Sequence, residues 1–119
     1  MKAKLKRLYS PDVDLPTYHP EEPEKFGFLL QAMIGPEEEE GEDSFGIIVC
    51  SVKWFQDHYS EEIPLFGFHF LFVSEYDISE ISKKVEKYCE ACSGENWLEI
   101  AQKLSKIGKW EFEDYNFQT

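Results

Sequence analysis

Two cysteines three residues apart form the clearest pattern in this chain that could carry out chemistry. Cys89 and Cys92 have the C-x-x-C spacing of redox and metal sites. A redox pair of this kind sits at the N-terminus of a helix, because the helix dipole there lowers the thiol pKa. Here the pair is predicted at the end of a helix, and only Cys50 and three separated histidines remain to complete a four-ligand zinc site. We therefore expect reduced cysteines that pack as small apolar side chains, and neither a metal nor a cofactor.

The histidines and carboxylates do not form a catalytic pattern. His19, His58 and His69 are isolated, and a catalytic histidine needs an orienting acid and a nucleophile or substrate in reach. The sequence contains no nucleophile-elbow serine, no H-E-x-x-H motif and no glycine-rich phosphate loop. Glu111 and Glu113 are predicted on one strand face, but such pairs arise by chance in a chain with 24 acidic residues. We expect no catalytic residue and no enzyme activity.

Charge is the main compositional feature of the chain. Its 24 acidic and 12 basic residues give a net charge of −12 over 119 residues. A charge of this size keeps a small protein soluble, repels nucleic acid and anionic membranes, and favours a basic protein partner. The apolar share of 42% is too high for a disordered acidic tail. No segment has the length of a signal peptide or a membrane-spanning helix, so we expect one cytoplasmic domain over residues 1–119.

Acidic residues cluster at four places, 21–24, 37–43, 61–62 and 111–114, and two of these clusters are the candidates for a protein-binding surface. The first candidate acidic cluster lies between two predicted strands, and the second follows three aromatic residues. A charged surface speeds association with an oppositely charged protein, whereas aromatic anchors supply much of the affinity. The candidate partner-binding residues are Glu37, Glu38, Glu39, Glu40, Glu42, Asp43, Trp54, Phe55, Tyr59, Glu61 and Glu62. A solvated acidic surface is the alternative, and Trp54 could equally belong to the core.

Alternating apolar residues predict a sheet of five strands. Their ranges are 2–9, 26–34, 45–52, 66–73 and 110–117. The first has Ala3, Leu5 and Tyr9 on one side and Leu8 on the other. The second and third form an antiparallel hairpin with the first candidate acidic cluster at its tip. In the fourth, phenylalanine at every second position and a mostly apolar opposite face predict a central, covered strand.

Three helices complete the predicted order. Ser51 can cap a short helix that carries Trp54 and Tyr59, and Asp77 and Asn96 each begin a longer helix with an apolar stripe. The order is strand, strand, strand, short helix, strand, two helices, strand. Helices that follow most of the strands predict an α+β fold, with a mainly antiparallel sheet of about five strands and two to three helices packed on one face.

Three blocks of sequence occur in a characteristic order. They are MKAKL through Ser10-Pro11-Asp12, the central FGFLLQAMIGP to SFGIIVCSVKW, and the ending WEFEDY. This order resembles the immunity protein 8 family of bacterial polymorphic toxin systems, and the central block is the strongest match. The chain departs from the family pattern after Cys50, where Ser51-Val52 replaces a Thr-Pro pair. Because proline favours the first helical turn, the departure concerns the start of the short helix.

The resemblance implies an immunity protein, as in contact-dependent inhibition. Such a protein binds a cognate toxin domain and either covers its active site or locks it in an inactive state. The implied toxin is basic and could be a nuclease, which would account for the charge of −12. We expect the chain itself to be a monomer or a weak homodimer. Two alternatives stay open: a small acidic adaptor or regulatory module for another basic protein, and an enzyme that uses carboxylates with His58 or His69.

Overall fold

A five-stranded sheet and three helices make up the fold over residues 1–113, the part of the chain that the computed structural model describes. The strands are β1 (Ala3–Tyr9), β2 (Gly27–Pro36), β3 (Asp43–Cys50), β4 (Phe70–Phe72) and β5 (Lys109–Trp110). The helices are α1 (Val52–His58), α2 (Ile78–Glu90) and α3 (Trp97–Leu104). The predicted element order and the α+β class are confirmed.

The sheet is mixed but mostly antiparallel. β2 pairs antiparallel with β1 on one side and with β3 on the other. The second edge of β3 is shared, because β5 pairs antiparallel with Phe45 and Gly46 while β4 pairs parallel with positions 48–50. Glu111 extends this edge, since its backbone N–H donates to the Ser44 carbonyl at 3.0 Å and its side chain accepts the Ser44 N–H at 2.8 Å.

The core lies between one face of the sheet and the two longer helices. The alternate apolar residues at positions 28–34 of β2 and 45–49 of β3 are all buried on this face. The helices contribute Ile81, Val85, Cys89, Ile100, Ala101 and Leu104 to the same cluster. Burial of apolar surface, at about 25 cal/mol per Å², is the principal force that holds α2 and α3 on the sheet.

Side-chain caps begin each helix. The Oγ atom of Ser51 accepts the backbone N–H of Trp54 at 3.3 Å, at the start of α1. The carboxylate of Asp77 and the amide oxygen of Asn96 accept backbone N–H groups in the first turns of α2 and α3. The three predicted caps are therefore confirmed, and α1 begins normally although no proline follows Ser51.

A bulge makes β1 differ from its prediction. The register against β2 shifts between Leu5 and Arg7, so the side chains change faces within the strand. Leu5 and Leu8 both pack against the core, whereas Tyr9 is 49% exposed. The predicted grouping of Tyr9 with Ala3 and Leu5 is therefore wrong, because it assumed an unbroken ladder.

The predicted central strand over 66–73 is also wrong. Only Phe70–Phe72 is a strand, and it lies at the edge of the sheet. His69 has a φ of 65°, a left-handed conformation that turns the chain away from the strand direction just before β4. As a result Phe66 and Phe68 lie outside the sheet, 88% and 69% exposed.

The last strand is shorter than the predicted range 110–117. β5 ends at Trp110, and a turn follows in which the N–H of Glu113 donates to the Trp110 carbonyl at 3.0 Å. The predicted placement of Glu111 and Glu113 on one strand face is therefore wrong. The remainder of the predicted strand, from residue 114, lies outside the described residues.

Candidate partner-binding surface

The sheet face opposite α2 and α3 is only partly covered. Its residues alternate with those of the core, and Leu29, Ile48 and Gly27 are half-buried there. Trp54 of α1 lies against one end of this open face, because a Cβ atom built on Gly27 would be 2.3 Å from Cδ2 of the indole. Glycine at position 27 therefore permits the close approach of α1. The Trp54 side chain is half-buried on the open face and is not part of the main core.

An aromatic cluster joins α1 to β4 at the same end of the open face. The Phe55 ring packs edge-on against Phe70 and Phe72, with centroid distances of 5.1 and 5.2 Å. Tyr59 meets Phe70 edge-on at 5.5 Å. No residue of α1 is fully buried. The cluster is therefore a half-exposed aromatic layer that holds α1 on the sheet.

The segment between α1 and β4, here called the aromatic loop (residues 60–69), exposes large apolar side chains. Phe66 and Phe68 are 88% and 69% exposed, and their ring centroids lie 6.3 Å apart. Ile63, earlier in the loop, is 49% exposed. Two exposed acids, Glu61 and Glu62, directly precede it. Grouped apolar exposure with a polar rim is typical of protein-binding sites.

A groove on the open face adjoins the aromatic loop. Its volume is about 620 Å³, and its lining includes Phe68 and His69 from the loop and Leu29 and Ile48 from the sheet. The His69 ring ties the loop to the end of α3, because its Nε2 atom lies 2.8 Å from the Ser105 carbonyl oxygen. The exposed phenylalanines and the groove therefore form one continuous surface.

The turn between β2 and β3, here called the acidic tip (residues 37–42), carries the first candidate acidic cluster. The side chains of residues 37–40 are all exposed, as the sequence predicted for a hairpin tip. Basic residues of β1 lie beside them. Arg7 Nε pairs with Glu42 Oε1 at 2.7 Å, and Lys6 Nζ donates to the Glu39 carbonyl at 2.9 Å. The neighbouring strand therefore neutralises part of the charge of the tip.

Asp43 makes two hydrogen bonds within the protein. Its Oδ2 atom accepts the indole N–H of Trp97 at 2.6 Å and that of Trp110 at 3.0 Å. The carboxylate thereby connects the start of β3 to α3 and β5. Sequence reasoning grouped Asp43 with the partner-binding acids, because its donors lie 54 and 67 positions away and leave no local pattern.

The sequence-predicted binding residues fall into two separate regions. The acidic tip adjoins the Ile34–Asp43 pair of the β2–β3 ladder, whereas α1 follows the Gly27–Cys50 pair at the other end. At about 3.4 Å per residue, the two ends lie roughly 24 Å apart. The structure brings together Trp54, Phe55, Tyr59, Glu61 and Glu62 at the α1 end, and Glu37, Glu38, Glu39, Glu40 and Glu42 at the tip.

Phe66 and Phe68 are the surface residues that sequence reasoning missed. Their alternation with Phe70 and Phe72 is the pattern of a covered strand. The signals against a strand were Gly67 within the segment and Pro64 just before it, since both residue types are typical of loops.

The cysteines are buried and free. Burial raises the pKa of Cys50 to about 11 and is the main cause that raises the pKa of Cys89 to about 12. The pKa of Cys92 is raised as well, again through burial. A protonated thiol is a poor nucleophile and a poor metal ligand. Within residues 1–113 no three His, Cys, Asp or Glu side chains are grouped to hold a metal ion.

A protein-family model matches nearly the whole chain. The model is that of immunity protein 8, and the match covers residues 3–115. Searches among curated proteins and among solved structures found no significant match. In the described part of the chain, no helix has both the length and the apolarity needed to cross a membrane. The family match includes every strand and helix given above, and the chain belongs to the immunity protein 8 family.

Proposed function

We propose that this protein binds a cognate toxin domain of a polymorphic toxin system and neutralises it by protein–protein contact, with no catalytic step of its own. Membership of the immunity protein 8 family supports the immunity role. The observation that carries the binding surface is the exposure of Phe66 and Phe68 in a loop that also carries two exposed acids, Glu61 and Glu62.

Energetic reasoning supports the aromatic loop as the site of contact. Burial of a phenylalanine side chain contributes about 1.5–3 kcal/mol of favourable free energy. Phe66 and Phe68 are exposed in the isolated protein, so this free energy becomes available only when a partner covers them. Aromatic anchors of this kind dominate the affinity of many protein interfaces. The half-exposed rings of Trp54, Phe55 and Tyr59 lie at the same end of the open face and extend the surface available to a partner.

The proposed toxin is a basic protein, for which a nuclease is one candidate. The net charge of −12 favours association with such a partner and disfavours binding to nucleic acid or to anionic membranes. In this role the protein acts in the cytoplasm, where an incoming toxin domain would meet it, and binds as a monomer or as a weakly associated dimer.

Co-purification and rescue together test the proposal. The product of the gene immediately upstream would be expressed alone and with this protein, and both growth and complex formation would be measured. We expect a stable complex and restored growth. A complex without rescue would favour an adaptor, and the absence of both would reject the immunity function for that gene product.

A further inference from the structure

We infer that the toxin meets the aromatic loop with an apolar recess rimmed by lysine and arginine side chains, and that this end of the molecule, rather than the acidic tip, makes the dominant charge contacts. The inference rests on the proposed function and specifies the chemistry of its partner surface.

Shape determines the apolar part of that partner. Phe66 and Phe68 project from the sheet, and Phe68 also borders the groove over Leu29 and Ile48. Two projecting rings lose contact with water fully only when they enter a concave pocket on the partner. Residues at the rim of such a contact exclude water and set its charge preference. Glu61 and Glu62 are the exposed acids of the same loop and are the candidates for this role.

The distribution of basic residues determines the charge of the partner. Between Lys53 and Lys83 the chain contains no lysine or arginine. The acids in that interval are Asp57, Glu61, Glu62, Glu75, Asp77 and Glu80. Lys25 and Lys53, the cations beside α1, are each paired with a carboxylate.

Within residues 1–113, neither Glu61 nor Glu62 takes part in an ion pair. The groove beside Phe68 is lined by one cation and one acid, Lys109 and Glu111. Glu61 and Glu62 therefore give the loop its net negative charge, which a basic rim would complement.

Within the described part of the chain, only Glu42 of the five acids at the acidic tip is ion-paired, but three cations from the N-terminal segment and β1 lie beside the tip. Arg7 pairs with Glu42, Lys6 reaches the Glu39 carbonyl, and Lys2 lines the same cavity as residues 37–39. These cations reduce the local negative field. They lie near the tip, and the other end of the β2–β3 ladder, which adjoins α1, is roughly 24 Å away. Because charges in physiological salt are screened over about 8 Å, these cations do not reduce the negative field at the aromatic loop.

Matched charge reversals separate the two regions. We would measure association and dissociation of the product of the gene immediately upstream with Glu61→Lys/Glu62→Lys and with Glu38→Lys/Glu40→Lys. Both variants change two exposed acids by the same total charge. In about 0.15 M salt, where the screening length is about 8 Å, we expect the Glu61/Glu62 variant to associate about tenfold more slowly, and the tip variant to change by less than about threefold.

Truncation of the rings tests the recess. Phe66→Ala/Phe68→Ala should weaken the complex by about 30-fold, mainly through faster dissociation, because each ring would lose its place in the partner. Leu98→Ala is the matched control, since Leu98 is 39% exposed on α3, in the helical layer on the other side of the sheet. We expect its dissociation rate to equal that of the wild type.

The outcomes distinguish this inference from the proposed function. The inference is overturned if the tip variant shows the larger loss of association rate, or if the double alanine variant dissociates at the same rate as Leu98→Ala. The immunity function still stands in that case, provided that the wild-type protein forms a complex and restores growth. If the wild type neither binds nor rescues, the proposed function fails, and the inference fails with it. Melting temperatures of all variants would verify that each is folded.

Discussion

The Asp43 carboxylate connects three elements through one oxygen atom. Hydrogen bonds to a charged acceptor contribute about 1.5–3 kcal/mol each, and Oδ2 accepts two, from Trp97 and Trp110. Asp43→Ala removes this acceptor from both indoles, so we expect the free energy of unfolding to fall by about 2–4 kcal/mol. Urea denaturation followed by tryptophan fluorescence would measure it. Asp43→Asn keeps an oxygen acceptor and should lose less, and a wild-type denaturation midpoint for Asp43→Ala would contradict the assignment.

Trp110 should contribute mainly to stability. Its side chain is 5% exposed and stacks on Phe45 with a centroid distance of 6.4 Å. We expect Trp110→Ala to destabilise the fold by about 3–5 kcal/mol, the usual cost of a large cavity. Phe66→Ala is the control, since an exposed ring should change stability by less than about 0.5 kcal/mol. Equal melting temperatures for the two variants would show that burial of Trp110 adds nothing.

The buried thiols should react only after unfolding. Burial raises the pKa of Cys50 to about 11, and it is the largest cause that raises the pKa of Cys89 to about 12. Both thiols therefore remain protonated as the pH rises from 8 to 9.5. The folded state then holds these protons more tightly than the unfolded state. The thiols therefore contribute stability below about pH 9 that is lost as the pH approaches 11–12. Alkylation should be slow in buffer at pH 8 to 9.5 and fast in urea, and rapid labelling of the folded protein would contradict this account.

Among the elements, the position of α1 depends on Gly27. A Cβ atom at position 27 would overlap the Trp54 indole at 2.3 Å, whereas one at Gly46 has its nearest contact, with Leu29, at an ordinary 3.5 Å. We expect Gly27→Ala to displace Trp54 and to cost about 1–3 kcal/mol. Gly46→Ala, the matched control on the next strand, should leave near-ultraviolet circular dichroism and melting temperature almost unchanged. If the two variants behave alike, α1 does not pack on the sheet as described.

The elements also differ in how far sequence could predict them. In β2 and β3 one face is buried and alternation is regular, so both the strands and their core residues were predictable. The bulge in β1 has no local signal, because it depends on the pairing with β2. For β4 the pattern itself was ambiguous, since alternating phenylalanines are typical of a covered strand but here extend into an exposed loop. The edge of β3 that β4 uses is already partly occupied by β5, which limits β4 to three residues.

For the whole molecule, total charge was predictable but its distribution was not. Composition alone gives −12, and the run at 37–40 is the most conspicuous acidic feature of the sequence. The folded chain places Lys6 and Arg7 beside that run, through strand pairing across more than thirty residues. The aromatic half of the candidate surface was predicted through Trp54, Phe55 and Tyr59. Phe66 and Phe68 were not, because their exposure depends on the turn at His69.

Salt dependence should show how much of the affinity of the whole molecule is electrostatic. We expect the association rate with the toxin domain to fall about tenfold or more between low salt and physiological salt, while the dissociation rate changes little. Stopped-flow fluorescence at several salt concentrations would measure both rates. A salt-independent association rate would mean that the net charge serves solubility rather than recognition.

The most direct test of the immunity function is growth of cells that express the product of the gene immediately upstream, with and without this protein. Wild-type protein and the Leu98→Ala variant should both restore growth, and Phe66→Ala/Phe68→Ala should restore it poorly at equal expression. Continued toxicity in the presence of folded, well-expressed wild-type protein would contradict the central claim.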